Sequence, residues 1–303
     1  MLPGRPWGSD RALRNRNEVR RMPKPTLSMM TYSFSRAMGA DGMSLVDVIS
    51  FVRDELEVNA FEIGYGNLGE LGTLEEAKAR LDDLGVVTAC VIGSGDFVQP
   101  TDEAQQPAVD AIKTAIDACV ALNCSLLMTT TGGCKPGLDA PEARKRIAAG
   151  LQRCLPHAAA AGVALTIEDV GAPGAPYGTT DHLLEMCALT GPDLRLTYDN
   201  GNFLVRGEDP VAAMDRIWDK VVHVHCKDWR LLGPDEQDQP GCPGADGNKY
   251  QGAVCGEGLM DYPANLAALK ERGYTGFLSY EYEGPNNPRE ECKRGIANLR
   301  ALR

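Results

Sequence analysis

The stretch 164-ALTIEDVGAPGAPYGTTDHLLEMCALTGPDLRLTYDNGNF-203 contains one complete unit of the fold. An apolar, strand-like run (Ala164–Val170) leads into a Gly/Pro-rich loop (Gly171–Thr179). A segment with apolar residues at helical spacing follows (Thr180–Leu189), and then a second strand-like run (Arg195–Asp199). Strands joined through a helix run parallel. The first run carries an acid near its end, Glu168, and the second closes on another, Asp199.

The same alternation extends outward from Thr26 to the C-terminus. Strand-like runs fall at Thr26–Phe34, Ala60–Gly64, Val86–Ile92, Ser125–Thr130, Ala164–Val170, Arg195–Asp199, Val221–His225 and Phe277–Glu281. Helical patterns fall at Ser44–Glu57, Leu74–Leu84, Gln106–Leu122, Ala140–Ala161, Thr180–Leu189, Val211–Trp218, Pro263–Arg272 and Pro288–Leu302. Eight such pairs require a parallel sheet, and their number favours closure. The expected fold class is α/β: a single (β/α)8 TIM barrel over residues 26–303, preceded by a flexible basic N-terminal arm at 1–25. Its first part, MLPGRPWGSDRALRNRNEVRR, has no sustained periodicity and reads as a solvated tail, or as an upstream start assigned in place of Met22. Helices are expected to stop at Asn123-Cys124, Gly162 and Gly273, each directly before a β run. The connections after strands are longer and rich in Gly and Pro, the longest being Arg230–Tyr262, which places the binding face at the strands' C-terminal ends.

Four strand ends deliver metal-capable side chains: Glu168, Asp199, His225 and Glu281. Three acids and an imidazole at one mouth of a parallel barrel suit a divalent cation. Glu168 follows a run that should be buried in the barrel wall, where an acid needs a partner or a metal, and Asp169 beside it points to the opposite face. Asp199 precedes Asn200-Gly201-Asn202, a turn sequence, so its bland alternative is an Asx turn. His223 and His225 share one strand face, and His225, nearer the end, is chosen if a single imidazole binds. His223 is then an inner or substrate-facing group. Lys227 continues the same parity as a substrate contact or a solvated lysine. Glu281 lies deeper than Glu283 and takes the ligand role. Glu62, Tyr32, Trp229 and Arg230 are candidates for the wall of a polar substrate pocket. Oxygen-rich sets with one imidazole suit Mn2+, Mg2+ or Co2+, with Zn2+ also accommodated; Mn2+ is the first choice.

Composition removes several classes. The net charge is −11, and residues 1–25 contribute +5, leaving −16 on the remainder, a poor match for a phosphate backbone. Nucleic acid is excluded as an expected partner. No apolar run reaches the roughly 20 residues that cross a bilayer, and the expected setting is cytoplasmic. Ten cysteines without a CxxC pair read as reduced structural thiols. The 130-TTGG-133 turn lacks the remainder of a phosphate-loop motif, and no GxSxG is present.

The motifs FEIGYG, LTIEDVG, YDNGNF, HVHCKD and GEGLMDYPANLAALKERGYTGFLSYEYEG resemble those of the sugar phosphate isomerase/epimerase family, the xylose isomerase-like barrels that include tagatose/psicose 3-epimerases and endonuclease IV-type enzymes. The resemblance spans Thr26 to about Leu302. It implies that Glu168, Asp199, His225 and Glu281 hold one divalent cation, and that Glu168 and Glu281 also transfer protons. It further implies a small-molecule sugar substrate, an enediolate route to an isomer or epimer, and a homo-oligomer. A lyase or dehydratase of keto-sugars or 3-keto-glycosides would use the same site. Asn202 stands where those epimerases often carry a histidine and is placed among the substrate contacts. The three-zinc endonuclease site is not supported, since only His157, His182, His223 and His225 exist, and the first two lie in helical patterns.

Overall fold

The computed structural model describes residues 24–66, 68 and 73–303. The proposed arm therefore lies outside the described residues except at its end. There Lys24 Nζ donates to the Arg303 carbonyl and Arg303 Nη1 to the Pro25 carbonyl, both at 2.7 Å, tying the start of the barrel to its last residue.

Eight parallel strands close into the barrel: β1 (Thr26–Met30), β2 (Ala60–Gly64), β3 (Val87–Ser94), β4 (Leu126–Thr130), β5 (Ala164–Glu168), β6 (Arg195–Asp199), β7 (Val221–Cys226) and, after three strands of a separate small sheet, β11 (Phe277–Tyr280). Their order round the barrel is β1-β11-β7-β6-β5-β4-β3-β2. The long outer helices lie close to the expected limits, with Leu74–Leu84, Ala140–Ala161 and Pro288–Leu302 spanning the same residues.

Local chemistry explains these limits. Ser44 with Asp47 and Thr73 with Glu76 form capping boxes that satisfy free N–H groups at helix starts. Gly162 ends its helix in the left-handed conformation, and Asn123 takes the same role at φ 54° after the helix Asp102–Ala121. That helix starts four residues before the expected Gln106, because Thr101 caps it through the Ala104 N–H and Pro107 still lies near its start.

Three expectations are corrected. The first strand ends at Met30, and Thr31–Phe34 form a 3-10 turn leading into a short helix, Ser35–Asp41. Asn200-Gly201-Asn202 is not a loop-opening turn: Asp199 accepts the Asn202 N–H and thereby caps a helix, Asn200–Val205. The Arg230–Tyr262 connection is not structureless; β8 (Asp228–Leu231), β9 (Cys242–Pro243) and β10 (Lys249–Ala253) form an antiparallel sheet in the order β8-β10-β9. These strands are short and polar, with no alternating apolar face to signal them. Trp229 and Tyr250, packed on Val205 with Cys242 against them, form a small core there.

All ten cysteines are free, and eight are buried, Cys134 and Cys242 being partly exposed. Burial pushes the thiols of Cys90, Cys255 and Cys292 well above the usual range. A thiol reagent is expected to modify at most Cys134 and Cys242 in the native protein and all ten in denaturant. Rapid native labelling of more than two sites would contradict this packing.

Candidate active site

Parity and register bring the four strand ends together. Asp199 pairs with His225, and His225 with Ser279, in adjacent parallel strands. The Glu281 N–H continues the ladder to the Cys226 carbonyl at 3.0 Å. One ligand atom from each of Glu168, Asp199, His225 and Glu281 lies within 4.8 Å of every other, a span that one coordination shell covers. His225 Nδ1 is 2.6 Å from Glu168 Oε1 and 3.6 Å from Glu281 Oε2. Of the four side chains, Glu168 is the most open at 16 %, whereas Asp199 and His225 are at 0 %.

Lys227 is buried, which removes the solvated reading. Its Nζ lies 3.0 Å from Glu281, 2.9 Å from Glu283 and 3.4 Å from both Asp199 Oδ2 and Asn202 Oδ1. Asn202 Nδ2 donates to the Asp169 carbonyl at 2.8 Å. Gly201 makes room for this arrangement, since a Cβ there would lie 2.9 Å from Lys227 Cβ and 2.8 Å from Trp229 Nε1. Glu62, expected in a pocket wall, is instead fully enclosed, bonded to His223 Nε2 at 2.5 Å and His225 Nε2 at 3.1 Å. Arg230 is also placed elsewhere: its guanidinium is tied to Glu236 and Gln251 on the small sheet. Tyr32 is half exposed and lines a cleft of about 480 Å³ with Trp229 and Glu283. A second cleft of about 520 Å³ opens beside Glu168, lined by Ser94, Asp96, Thr130, Thr131 and Tyr177. His157 and His182 sit on outer helices, His157 against Asp117.

The electrostatics show a shortage of positive charge. Burial pushes Glu281 well above the usual carboxylate range, with Glu168 and Glu283 adding to it and Lys227 opposing. Burial likewise raises Asp199 to about 6, Lys227 opposing and Glu168 adding. Asp169, raised by burial and by Asp199 and Glu168, follows the same direction. Against burial, Glu62 and Glu168 hold the His225 imidazole well above its ordinary value. Asp199 Oδ2 and Glu281 Oε2 make no hydrogen bond although both are buried; Lys227 and His225 lie within Coulombic reach only. Two unbonded acid oxygens aimed into a carboxylate-rich cluster fit a bound cation in chemistry as well as in spacing.

The roles of two residues escaped the sequence reading. Asp169 Oδ1 accepts the Asp199 N–H at 3.0 Å and so braces a proposed ligand. Asp228 accepts four backbone N–H groups, from Trp229, Gly256, Gly258 and Met260, at 2.9–3.0 Å. It thereby fastens the 256–260 loop to the root of the small sheet. The hint was an acid after a strand combined with a distant Gly-x-Gly, a pairing invisible without the fold. Asp228→Ala is expected to lower stability by roughly 3–5 kcal/mol, given ~1–3 kcal/mol for each orphaned donor before water enters. A denaturation midpoint within about 1 kcal/mol of wild type would contradict that role.

A closed parallel barrel with a carboxylate and imidazole cluster at its C-terminal mouth defines the class. The chain belongs to the xylose isomerase-like TIM barrel family, whose model matches residues 34–302. It is 30 % identical over 141 residues to an inosose dehydratase of Lacticaseibacillus casei, covering 46 % of this chain and 47 % of that one; the match spans about half the length of the curated relatives. Among solved structures it resembles 3-keto-D-glucoside 4-epimerase from E. coli, with a TM-score of 0.70 and 16 % identity over 92 % of this chain and all of that one. A protein named IOLI, whose crystal structure holds a zinc atom, gives a TM-score of 0.71 and 15 % identity over 91 % of this chain and 97 % of that one. Both structural likenesses concern the fold.

Proposed function

We propose that this chain is a divalent-cation-dependent enzyme that removes a proton beside the carbonyl of a keto-sugar or cyclic polyol ketone. The observation that carries the reading is the convergence of Glu168, Asp199, His225 and Glu281 within 4.8 Å, with two of the acid oxygens lacking any hydrogen bond. These four residues would hold the cation, which supplies Lewis-acid stabilisation of negative charge on the substrate's oxygens. Mn2+ is our first choice, and the zinc in IOLI supports Zn2+ as the alternative.

Glu168, the most accessible of the four, borders the hydroxyl-lined cleft, which supports it as the group that would take the carbon-bound proton. Glu281, held by Lys227, is placed to exchange a proton on the other side of His225. Loss of the C–H proton leaves its electron pair as an enolate. Return of a proton to the same carbon from the opposite face gives an epimer; return to the former carbonyl carbon, with the neighbouring hydroxyl giving up its proton and the old carbonyl oxygen gaining one, gives an isomer. Loss of a β-hydroxyl as water, with a proton supplied by an acid of the site, gives an unsaturated ketone. Lys227, linked to Glu281 and Glu283, is a buried cation of the cluster that would serve a departing oxygen. Isomerisation or epimerisation is the primary reading. The inosose dehydratase similarity favours the elimination reading as the second.

The test is NMR product analysis in D2O with Mn2+ and, separately, Zn2+, using an inosose, free ketohexoses and a 3-keto-glycoside. A deuterated epimer marks the first outcome, an unsaturated product or released aglycone the second. Neither deuterium at the carbon beside the carbonyl nor an elimination product from any of them overturns the shared step.

A further inference from the structure

Glu62 is three places round the barrel from the strand that carries His225, yet it is the residue that holds that imidazole from behind. We propose that Glu62 is a positioning residue: it accepts the Nε2–H of His225 and so leaves Nδ1 as the nitrogen offered to a cation. The inference rests on the reading of Glu168, Asp199, His225 and Glu281 as a cation site.

The geometry supplies the argument. His225 Nδ1 faces Glu168 at 2.6 Å and Glu281 at 3.6 Å, while Nε2 faces Glu62 Oε2 at 3.1 Å. A neutral imidazole has one N–H and one lone pair, and an ionised carboxylate only accepts. Both nitrogens face carboxylates, so with no ion bound each N–H has an acceptor; a cation among Glu168, Asp199 and Glu281 would take the Nδ1 lone pair in place of that proton, and Glu62 keeps the proton on Nε2. Glu62 cannot turn away, because its second oxygen is engaged by His223 Nε2 at 2.5 Å. The two rings meet edge to face, with centroids 5.2 Å apart at 86°. Glu62 and His225 are both at 0 % exposure, so the pair is shielded from bulk solvent. One carboxylate thus fixes the tautomer of His225 and the tilt of its ring, the type of support that generally changes metal affinity by 10–100-fold when removed.

Glutamine at position 62 cannot do both tasks. Its single oxygen serves one imidazole, and its NH2 group forces the other Nε2 to accept. If that ring is His225, the proton moves to Nδ1 and stands where the cation would bind. Aspartate keeps the charge and both acceptors but sits one methylene further back.

The experiment uses the chelator-stripped full chain titrated with Mn2+ alone, free Mn2+ being counted by EPR, for wild type, Glu62→Gln and Glu62→Asp. Binding is expected to weaken about 10–100-fold in Glu62→Gln and less in Glu62→Asp. Circular dichroism identifies any variant that fails to fold. A readout that needs no variant is 15N NMR of the wild-type histidines in the Zn2+-loaded protein, where only four rings must be resolved. His225 is expected with Nε2 protonated and Nδ1 on the cation. Glu62→Gln binding as tightly as wild type, or Nε2 found on the cation, overturns the proposal. Wild type that binds neither ion overturns the cation-site reading itself, and this proposal with it.

Discussion

Glu168→Gln and Glu281→Gln are each expected to lower turnover by about 10²–10⁴-fold at saturating cation, the range that positioned proton transfer contributes. Glutamine preserves volume and can still donate and accept hydrogen bonds, so the barrel should fold. Its neutral amide neither takes a carbon-bound proton nor returns one. The effect is expected in kcat measured with excess Mn2+, because each residue is also a proposed ligand and a weaker site would otherwise be mistaken for lost chemistry. Glu281 is the more informative test. Its buried carboxyl is already held well above the usual range with no cation present, so neutralising it should cost the fold little. Activity within a factor of a few of wild type in either variant, with normal cation binding, would remove that residue from proton transfer. Deuterium exchange between substrate and D2O should disappear in parallel with product formation.

Binding of a divalent cation should raise the melting temperature, and more so at pH 7.5 than at pH 5. The sign follows from Asp199, whose carboxyl is raised to about 6 by burial, with Glu168 adding and Lys227 opposing, and from the raised Glu281 and Asp169. An acid with a raised pKa in the folded state stabilises the metal-free fold fully below its unfolded value. That contribution is lost as pH rises through the folded value. Metal-free protein should therefore lose stability from this cluster between about pH 4 and pH 6. A cation competes with those protons, so its contribution grows over the same window. At a concentration near a thousand times Kd the gain is about 4 kcal/mol. At ~2–4 °C per kcal/mol for a domain of 150–250 residues, that is on the order of 10 °C. A melting temperature unmoved by Mn2+ and Zn2+ at both pH values would dismiss the cation site.

The barrel was legible because its signals are local. Alternating runs, glycine at helix ends and acids at strand ends each need only a few neighbours, and Ala60–Gly64 and Arg195–Asp199 fall where periodicity placed them. The candidate cluster was legible for the same reason: in a parallel barrel, the strand end is also the mouth. What stayed hidden depends on partners far away in sequence. Glu62 lies in an apolar run that reads equally well as pocket wall or core, and its role appears only when the barrel brings β7 round to face it. Arg230 read as a candidate for the wall of a polar substrate pocket, whereas the antiparallel sheet turns it onto Glu236 and Gln251. Asn200-Gly201-Asn202 read as a turn because Asn and Gly favour turns, but the Asp199 cap overrode that local preference.

The small antiparallel sheet has its root in Asp228, one residue from Lys227, and its outer edge at residues 232–249. Since the root carboxylate is anchored by four amides, edits to that outer segment are expected to leave the proposed site beneath in place. Substitutions there reshape the wall of the cleft of about 480 Å³, to which Pro240, Gly241 and Cys242 contribute, rather than the candidate cation cluster.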